Sequence, residues 1–197
     1  MLRRLTIALA VLAVTFPGEA QTPKEAQKDP QSAYEPRSKP GVGQKFLEKF
    51  VGDWQVVKTF FPRNGEPTRT NGRVKQTMVH GGRFLQSDFV FDGPTGETTG
   101  QGLIGFEAES GRFTSVWTDS RATRMSFRQS DAPFSGAEII LFGKSLGLDA
   151  AGPSKSRTVT RLEDDGRKII HRQSAIDAEN KERPVMELIL TKPAKAR

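Results

Sequence analysis

Between Trp54 and Lys192 apolar and polar residues alternate with a period of two, in short segments rich in β-branched and aromatic side chains and separated by Gly, Pro, Asn and Asp. Successive side chains of a strand point to opposite faces, so this alternation reads as half-buried strands. Ten candidates follow one another: Trp54 to Phe61, Arg73 to Val79, Phe84 to Phe91, Gly100 to Ala108, Arg112 to Asp119, Arg124 to Gln129, Ala137 to Phe142, Arg157 to Glu163, Lys168 to Ser174, and Pro184 to Lys192. Asn64-Gly65, Asp92-Gly93, Ser110-Gly111 and Asp165-Gly166 fall between apolar segments, where Gly takes φ > 0 without strain and Asn or Asp tolerates it. No helical pattern of about 10–15 residues separates any two segments, which removes parallel crossovers and leaves sequential antiparallel hairpins. Upstream, Phe46, Leu47, Phe50 and Val51 recur at helical spacing and Gly52 stops the turn, predicting one short helix. The predicted fold is all-β: an antiparallel meander of about ten strands, closed or nearly closed into a barrel because closure removes exposed edges, with that helix at its N-terminal side.

Ahead of the helix the pattern changes twice. Arg3 and Arg4, the apolar stretch Leu5 to Phe16, and then Pro17 to Ala20 with small Gly18 and Ala20 read as a secretory signal peptide cleaved after Ala20. That stretch would reach only about 18 Å as a helix, short of the roughly 30 Å hydrocarbon core, so no transmembrane anchor is expected after its removal. Residues 21–43 carry Pro23, Pro30, Pro36 and Pro40 among Lys, Glu, Gln and Ser, with little that is apolar besides Tyr34, and read as a flexible leader. The expected organisation is a signal peptide (1–20), a Pro-rich leader (21–43), a barrel domain (44–192) and a basic tail (193–197), in a periplasmic or secreted protein.

A chain of 197 residues suits one well-buried domain. The hydrophobic fraction of 35%, with 12 Pro and 19 Gly, fits a turn-rich β-protein, and 13 Phe supply most of the aromatic bulk. There is no cysteine, which removes disulfides, thiolate metal sites, a cysteine nucleophile and lipidation of a cysteine after the signal. The formal charge is +7, and loss of Arg3, Arg4 and Glu19 with the signal peptide leaves +6. Basic residues are interleaved with acids, as in Glu48-Lys49, Asp119 to Arg121 and Arg161 to Glu163, so no nucleic-acid surface is read from them. Loose association with an anionic envelope surface and a plain mixed-charge exterior both stay open.

Several runs carry a resemblance. Val51-Gly52-Asp53-Trp54 at the first strand, Gly81-Gly82-Arg83-Phe84-Leu85 at the third, Gly102 to Phe106 in the fourth, Trp117-Thr118-Asp119-Ser120 closing the fifth and Met186-Glu187 in the last resemble the bacterial family called domain of unknown function 1579. The resemblance covers about Gln44 to Lys192, and its Gly-x-Trp start is also similar to the wider lipocalin-like (calycin) barrels, including the haem-binding nitrobindin type. It implies a lipocalin-like barrel and no settled activity. Phe106-Glu107 stands where Tyr-Asp is expected, and Arg121 to Arg128 is more basic than the family pattern.

Three motifs match by letter and fail by context. Gly100, Gly102 and Gly105 have dinucleotide-fingerprint spacing but lie inside a predicted strand, where glycine marks a bend or a close approach. Gly143, Ser145 and Gly147 match a nucleophile elbow without the helix that must follow, and Glu138 occupies the first glycine position of a phosphate loop ending in Gly143-Lys144-Ser145. His80 and His171 are the only imidazoles, too few for a structural zinc site without cysteine. His80 reads as a turn residue. His171 sits in the ninth segment with its facing undecided; turned inward it could ligate haem iron, as in nitrobindin-like barrels, or be a hydrogen-bonded wall residue.

The strongest constellation is aromatic. In the third segment Leu85, Ser87, Phe89 and Phe91 form one face, and in the fifth Phe113, Ser115, Trp117 and Asp119 share parity, ending an aromatic stripe on a carboxylate. An apolar cavity with a few polar groups is the usual form of a small-molecule site, so the candidate ligand-binding residues are Arg83, Leu85, Phe89, Phe91, Trp117 and Asp119. The stripe could equally be filled core, with Asp119 capping a turn near Ser120. Three readings stay open: a barrel binding a small apolar molecule without catalysis; an enzyme using haem or Asp119 with an Arg such as Arg83 as acid and base; and a structural envelope protein with a filled barrel. No cofactor is assigned.

Overall fold

In the computed structural model the described residues are 30–34, 38–145 and 154–193. The expected signal peptide, most of the leader and the tail beyond Pro193 lie outside them. The chain divides into two units, Met1–Arg37 and Ser38–Arg197. In the first, Pro30–Ala33 forms one 3-10 turn, with the Tyr34 amide donating to the Gln31 carbonyl at 2.9 Å.

The second unit is a closed antiparallel barrel of ten strands: β1 (Gly52–Phe60), β2 (Thr68–Val79), β3 (Phe84–Phe91), β4 (Thr98–Glu107), β5 (Arg112–Asp119), β6 (Ser126–Gln129), β7 (Glu138–Ser145), β8 (Ser154–Glu163), β9 (Lys168–Ile176) and β10 (Glu182–Thr191). Each strand pairs with its neighbour in sequence, and β1 pairs with β10 to close the ring, Val56 opposite Leu190. This is the meander that the short Gly- and Asp-bearing turns predicted. The turn between β2 and β3 is the tightest case: His80, Gly81 and Gly82 take φ of 52°, 66° and 80° in succession, a left-handed path that two glycines make inexpensive. One seam is thin. β6 is four residues long and meets β7 only through Arg128 opposite Gly143 and Gln129 opposite Phe142.

The helix α1 (Val42–Glu48) starts two residues ahead of Gln44, because Gln44 organises its first turn: the Gly41 amide donates to Gln44 Oε1 and Gln44 Nε2 donates to the Phe106 carbonyl, each at 2.8 Å. It lies across one end of the barrel. Gly43 rests on the Phe106 ring so closely that any Cβ would collide with it. Phe46, Leu47 and Phe50 are buried, and Phe46, Phe106, Phe113 and Phe134 meet tilted or edge-on at centroid distances of 4.8 to 6.3 Å, contacts worth about 0.5–1.5 kcal/mol each beyond their burial. Trp54, 1% exposed, donates its indole N–H to the Phe50 carbonyl at 2.9 Å, tying the first strand to this plug. Phe113 therefore belongs to the closed end and not to the stripe with Trp117. No helix among the described residues is long and apolar enough to cross a membrane.

Candidate functional site

Above the α1 plug the barrel is hollow. A cavity of about 710 Å³ runs from a floor of Leu47 and Phe50 to a mouth at Lys58, Phe60, Thr68 and Arg121, within the range of about 300–1,000 Å³ typical of small-molecule sites. One wall is aromatic. Leu85, Phe89 and Phe91 on β3 and Trp117 on β5 face inward, with Phe89 stacked on Phe91 at 5.6 Å and meeting Trp117 edge-on at 5.5 Å. A glycine of β4 makes room for this wall: a Cβ at Gly100 would collide with the Trp117 indole, while on the other face of the strand one at Gly105 would sit 2.7 Å from the Phe84 ring. The fingerprint-like spacing thus serves close approach of aromatic rings inside a strand.

Asp119 ends the wall at the mouth and does two jobs there. It accepts from the Trp117 indole N–H and from the Arg121 amide, both at 2.9 Å, so it fixes the ring of the stripe and caps the turn after β5. Ser120 Oγ accepts from the Thr99 amide at 3.0 Å and holds the same turn to β4. Lys58 stands 4.0 Å over the Phe91 ring beside this group; burial lowers its pKa, as does the Arg121 charge, while Asp119 raises it.

Arg83 is placed elsewhere. It sits at the α1 end, donating to the His80 and Ser38 carbonyls at 3.2 and 3.1 Å, and is absent from the cavity lining. Asp119 ends β5 at the mouth, so the acid and base pair of Asp119 with Arg83 is not brought together. Arg83 braces the left-handed turn, for which its position after Gly81-Gly82 suits it.

The opposite wall is polar, and of its residues only His171 was singled out from sequence, with its facing left open. Arg128 on β6, Thr158 and Thr160 on β8, and His171 and Gln173 on β9 line the cavity. Thr160 Oγ1 and His171 Nδ1 are 2.8 Å apart. Burial, and secondarily the Arg128 charge, lowers the His171 pKa from 6.5 to about 4, so the ring is neutral at physiological pH. Burial also lowers the Arg128 pKa. Arg128 Nε and Thr158 Oγ1 on this wall, and Gln76 Oε1 on β2 elsewhere in the cavity lining, are buried without a hydrogen-bond partner. Such atoms are rare in folded proteins and call for a reason. No group of three or more His, Cys, Asp or Glu side chains among the described residues is arranged to hold a metal ion.

A family model described as "Protein of unknown function (DUF1579)" matches residues 39–192. The chain belongs to this family. The Gly-Gly-Arg-Phe-Leu run of this DUF1579 chain is the braced turn into β3, and its Trp-Thr-Asp-Ser run is the hydrogen-bonded rim of the cavity. Among solved structures, the barrel is similar to Rv2717c from M. tuberculosis, with a TM-score of 0.57 and 14% identity over 79% of this chain and 100% of that one. It is also similar to the S-type phycobiliprotein lyase CPES from Guillardia theta, with a TM-score of 0.50 and 7% identity over 78% of this chain and 94% of that one. At these identities the likeness is one of fold, and the DUF1579 chain is a lipocalin-like barrel. No match was found among curated proteins.

Proposed function

We propose that this barrel binds a small, largely apolar molecule between the α1 plug and the mouth. The observation that supports it most is the cavity itself: Phe89, Phe91 and Trp117 line one wall of an open space of about 710 Å³. In a filled barrel those rings would meet close-packed side chains, since protein interiors leave few voids larger than a water molecule. The ligand class is one that an apolar wall and a mouth bearing Lys58, Arg121 and Asp119 would admit. The proposal includes export, with residues 1–20 removed, and a periplasmic or secreted location. The test is titration with N-phenyl-1-naphthylamine, an uncharged apolar fluorophore. Saturable enhancement at one probe per chain, reduced by Phe89→Ala, supports the reading; no enhancement opposes it.

A second reading rests on His171. In the tautomer in which Nδ1–H donates to Thr160 Oγ1, Nε2 of the neutral, cavity-lining ring keeps a free lone pair, which fits a single protein ligand to haem iron. Haem bound there would supply one-electron or diatomic-gas chemistry, while His171 and Thr160 would fix the ring and its tautomer. A Soret band in the purified protein, lost in His171→Ala, separates this reading from the first.

A further inference from the structure

We propose that the molecule held in the cavity carries a single carboxylate, seated on Arg128. The inference rests on the reading of the barrel as a container for a small apolar molecule and adds its headgroup.

Arg128 is turned inward by construction. It lies on β6 opposite Ser115 of β5 on one side and opposite Gly143 of β7 on the other. A Cβ at Gly143 would fall 2.8 Å from Arg128 Cγ, so the missing side chain of β7 is the space through which the arginine stem passes. Arg128 lines the cavity, its charge acts on His171 of the same lining, and its Nε is buried without a partner. Among the described residues no carboxylate pairs with it. The one acid in the cavity lining, Asp119, is at the mouth and already engaged by Trp117 and Arg121. A half-buried cation without a carboxylate partner, one of its nitrogens fully buried, is costly. An anion entering with the ligand resolves the cost directly.

The surroundings narrow the anion. The guanidinium fork matches a carboxylate in a bidentate, charge-assisted pair. Thr158 offers an unpartnered hydroxyl on the same polar wall, and Ser115 faces the cavity opposite Arg128. His171, close enough to feel the Arg128 charge, is itself neutral. The polar wall therefore holds one positive charge, which balances one negative charge; a phosphate monoester would bring about two. The remaining lining, Leu47, Phe50, Leu85 and Ile169 toward the floor and the Phe89 and Trp117 rings beside it, takes the hydrocarbon part. The structure thus assigns a mono-carboxylate amphiphile.

The test compares dodecanoate with dodecanol by calorimetric titration of the full chain and of Arg128→Gln, Arg128→Lys and, as a control outside the cavity, Arg73→Gln, which loses only an exposed pair with Glu97. Wild type is expected to bind the acid about tenfold or more tighter than the alcohol, the preference of a charged hydrogen-bonded pair. Arg128→Gln is expected to bring dodecanoate down to the dodecanol level, and Arg73→Gln to keep the preference. Should Arg128→Gln fail to fold, the wild-type preference and its reduction in Arg128→Lys carry the result. Equal binding of acid and alcohol by wild type, or a preference that survives in Arg128→Gln or disappears in Arg73→Gln, overturns the carboxylate site while leaving the apolar cavity intact. Uptake of neither probe by wild type overturns both.

Discussion

Lowering the pH from 7 to 5 should destabilise the wild-type barrel more than His171→Gln. His171 faces the cavity from β9 with its pKa lowered from 6.5 to about 4, first by burial and then by the Arg128 charge. In the unfolded chain the imidazole takes up a proton near pH 6.5; in the folded chain it resists until near pH 4. Below pH 6.5 the unfolded state therefore binds more protons, and stability falls as the pH falls toward 4. The full gap corresponds to about 3 kcal/mol, of which about 2 kcal/mol lies between pH 7 and pH 5. Because the ring borders a cavity and not solid core, screening brings the expected loss to about 1–2 kcal/mol. Urea melts followed by tryptophan fluorescence at both pH values read it directly, and subtracting the His171→Gln difference cancels the other titrating groups. Equal losses in the two proteins would mean that His171 titrates as if solvated, and the inward, buried placement of β9 on which the polar wall depends would be refuted.

Three further outcomes are expected. Gly100→Ala drives a Cβ into the Trp117 indole, so it should cost about 1–3 kcal/mol in denaturant melts and shift the tryptophan emission, whereas a silent substitution would show that the ring does not lie over β4. Asp119→Ala removes the acceptor of both the Trp117 indole and the Arg121 amide; it should cost about 1 kcal/mol and loosen probe binding together, and a stability loss with unchanged binding would make Asp119 a turn cap alone. Intact mass of the exported protein should place the mature N-terminus at Gln21 or within a few residues, and retention of Leu5 to Phe16 would remove the export proposal.

The barrel was legible because its signals are local and repeated. Period-two alternation between Gly, Asp and Asn turns needs no long-range information, and β3 and β5 keep the bounds that their patterns predict, Phe84–Phe91 and Arg112–Asp119. The aromatic wall was legible for the same reason, since Phe89, Phe91 and Trp117 share parity within strongly patterned strands. The polar wall was not. β6 has four residues, and hydrophobicity alone would turn Phe127 inward; register with β5 decides otherwise, setting Val116 opposite Phe127 and Ser115 opposite Arg128, so Phe127 is 59% exposed and the arginine enters. One sequence signal pointed there, the basic stretch Arg121 to Arg128; the seventh segment was predicted to end at Phe142, so Gly143 was not seen as part of the strand that receives the arginine. His171 was undecidable because Ile169 and Ile170 flank it on both parities. Arg83 misled because it shares a family-like run with the cavity residue Leu85, while one step of chain at a left-handed turn separates brace from wall.

The central claim, that the barrel is a container, is tested most directly by native mass spectrometry of the mature protein purified from its own organism, with an absorption spectrum of the same sample. The account predicts the polypeptide mass plus one small-molecule adduct that is released on denaturation. A bare polypeptide mass, with no absorption beyond that of the protein and no uptake of apolar probes afterwards, would contradict it and leave the barrel a structural domain.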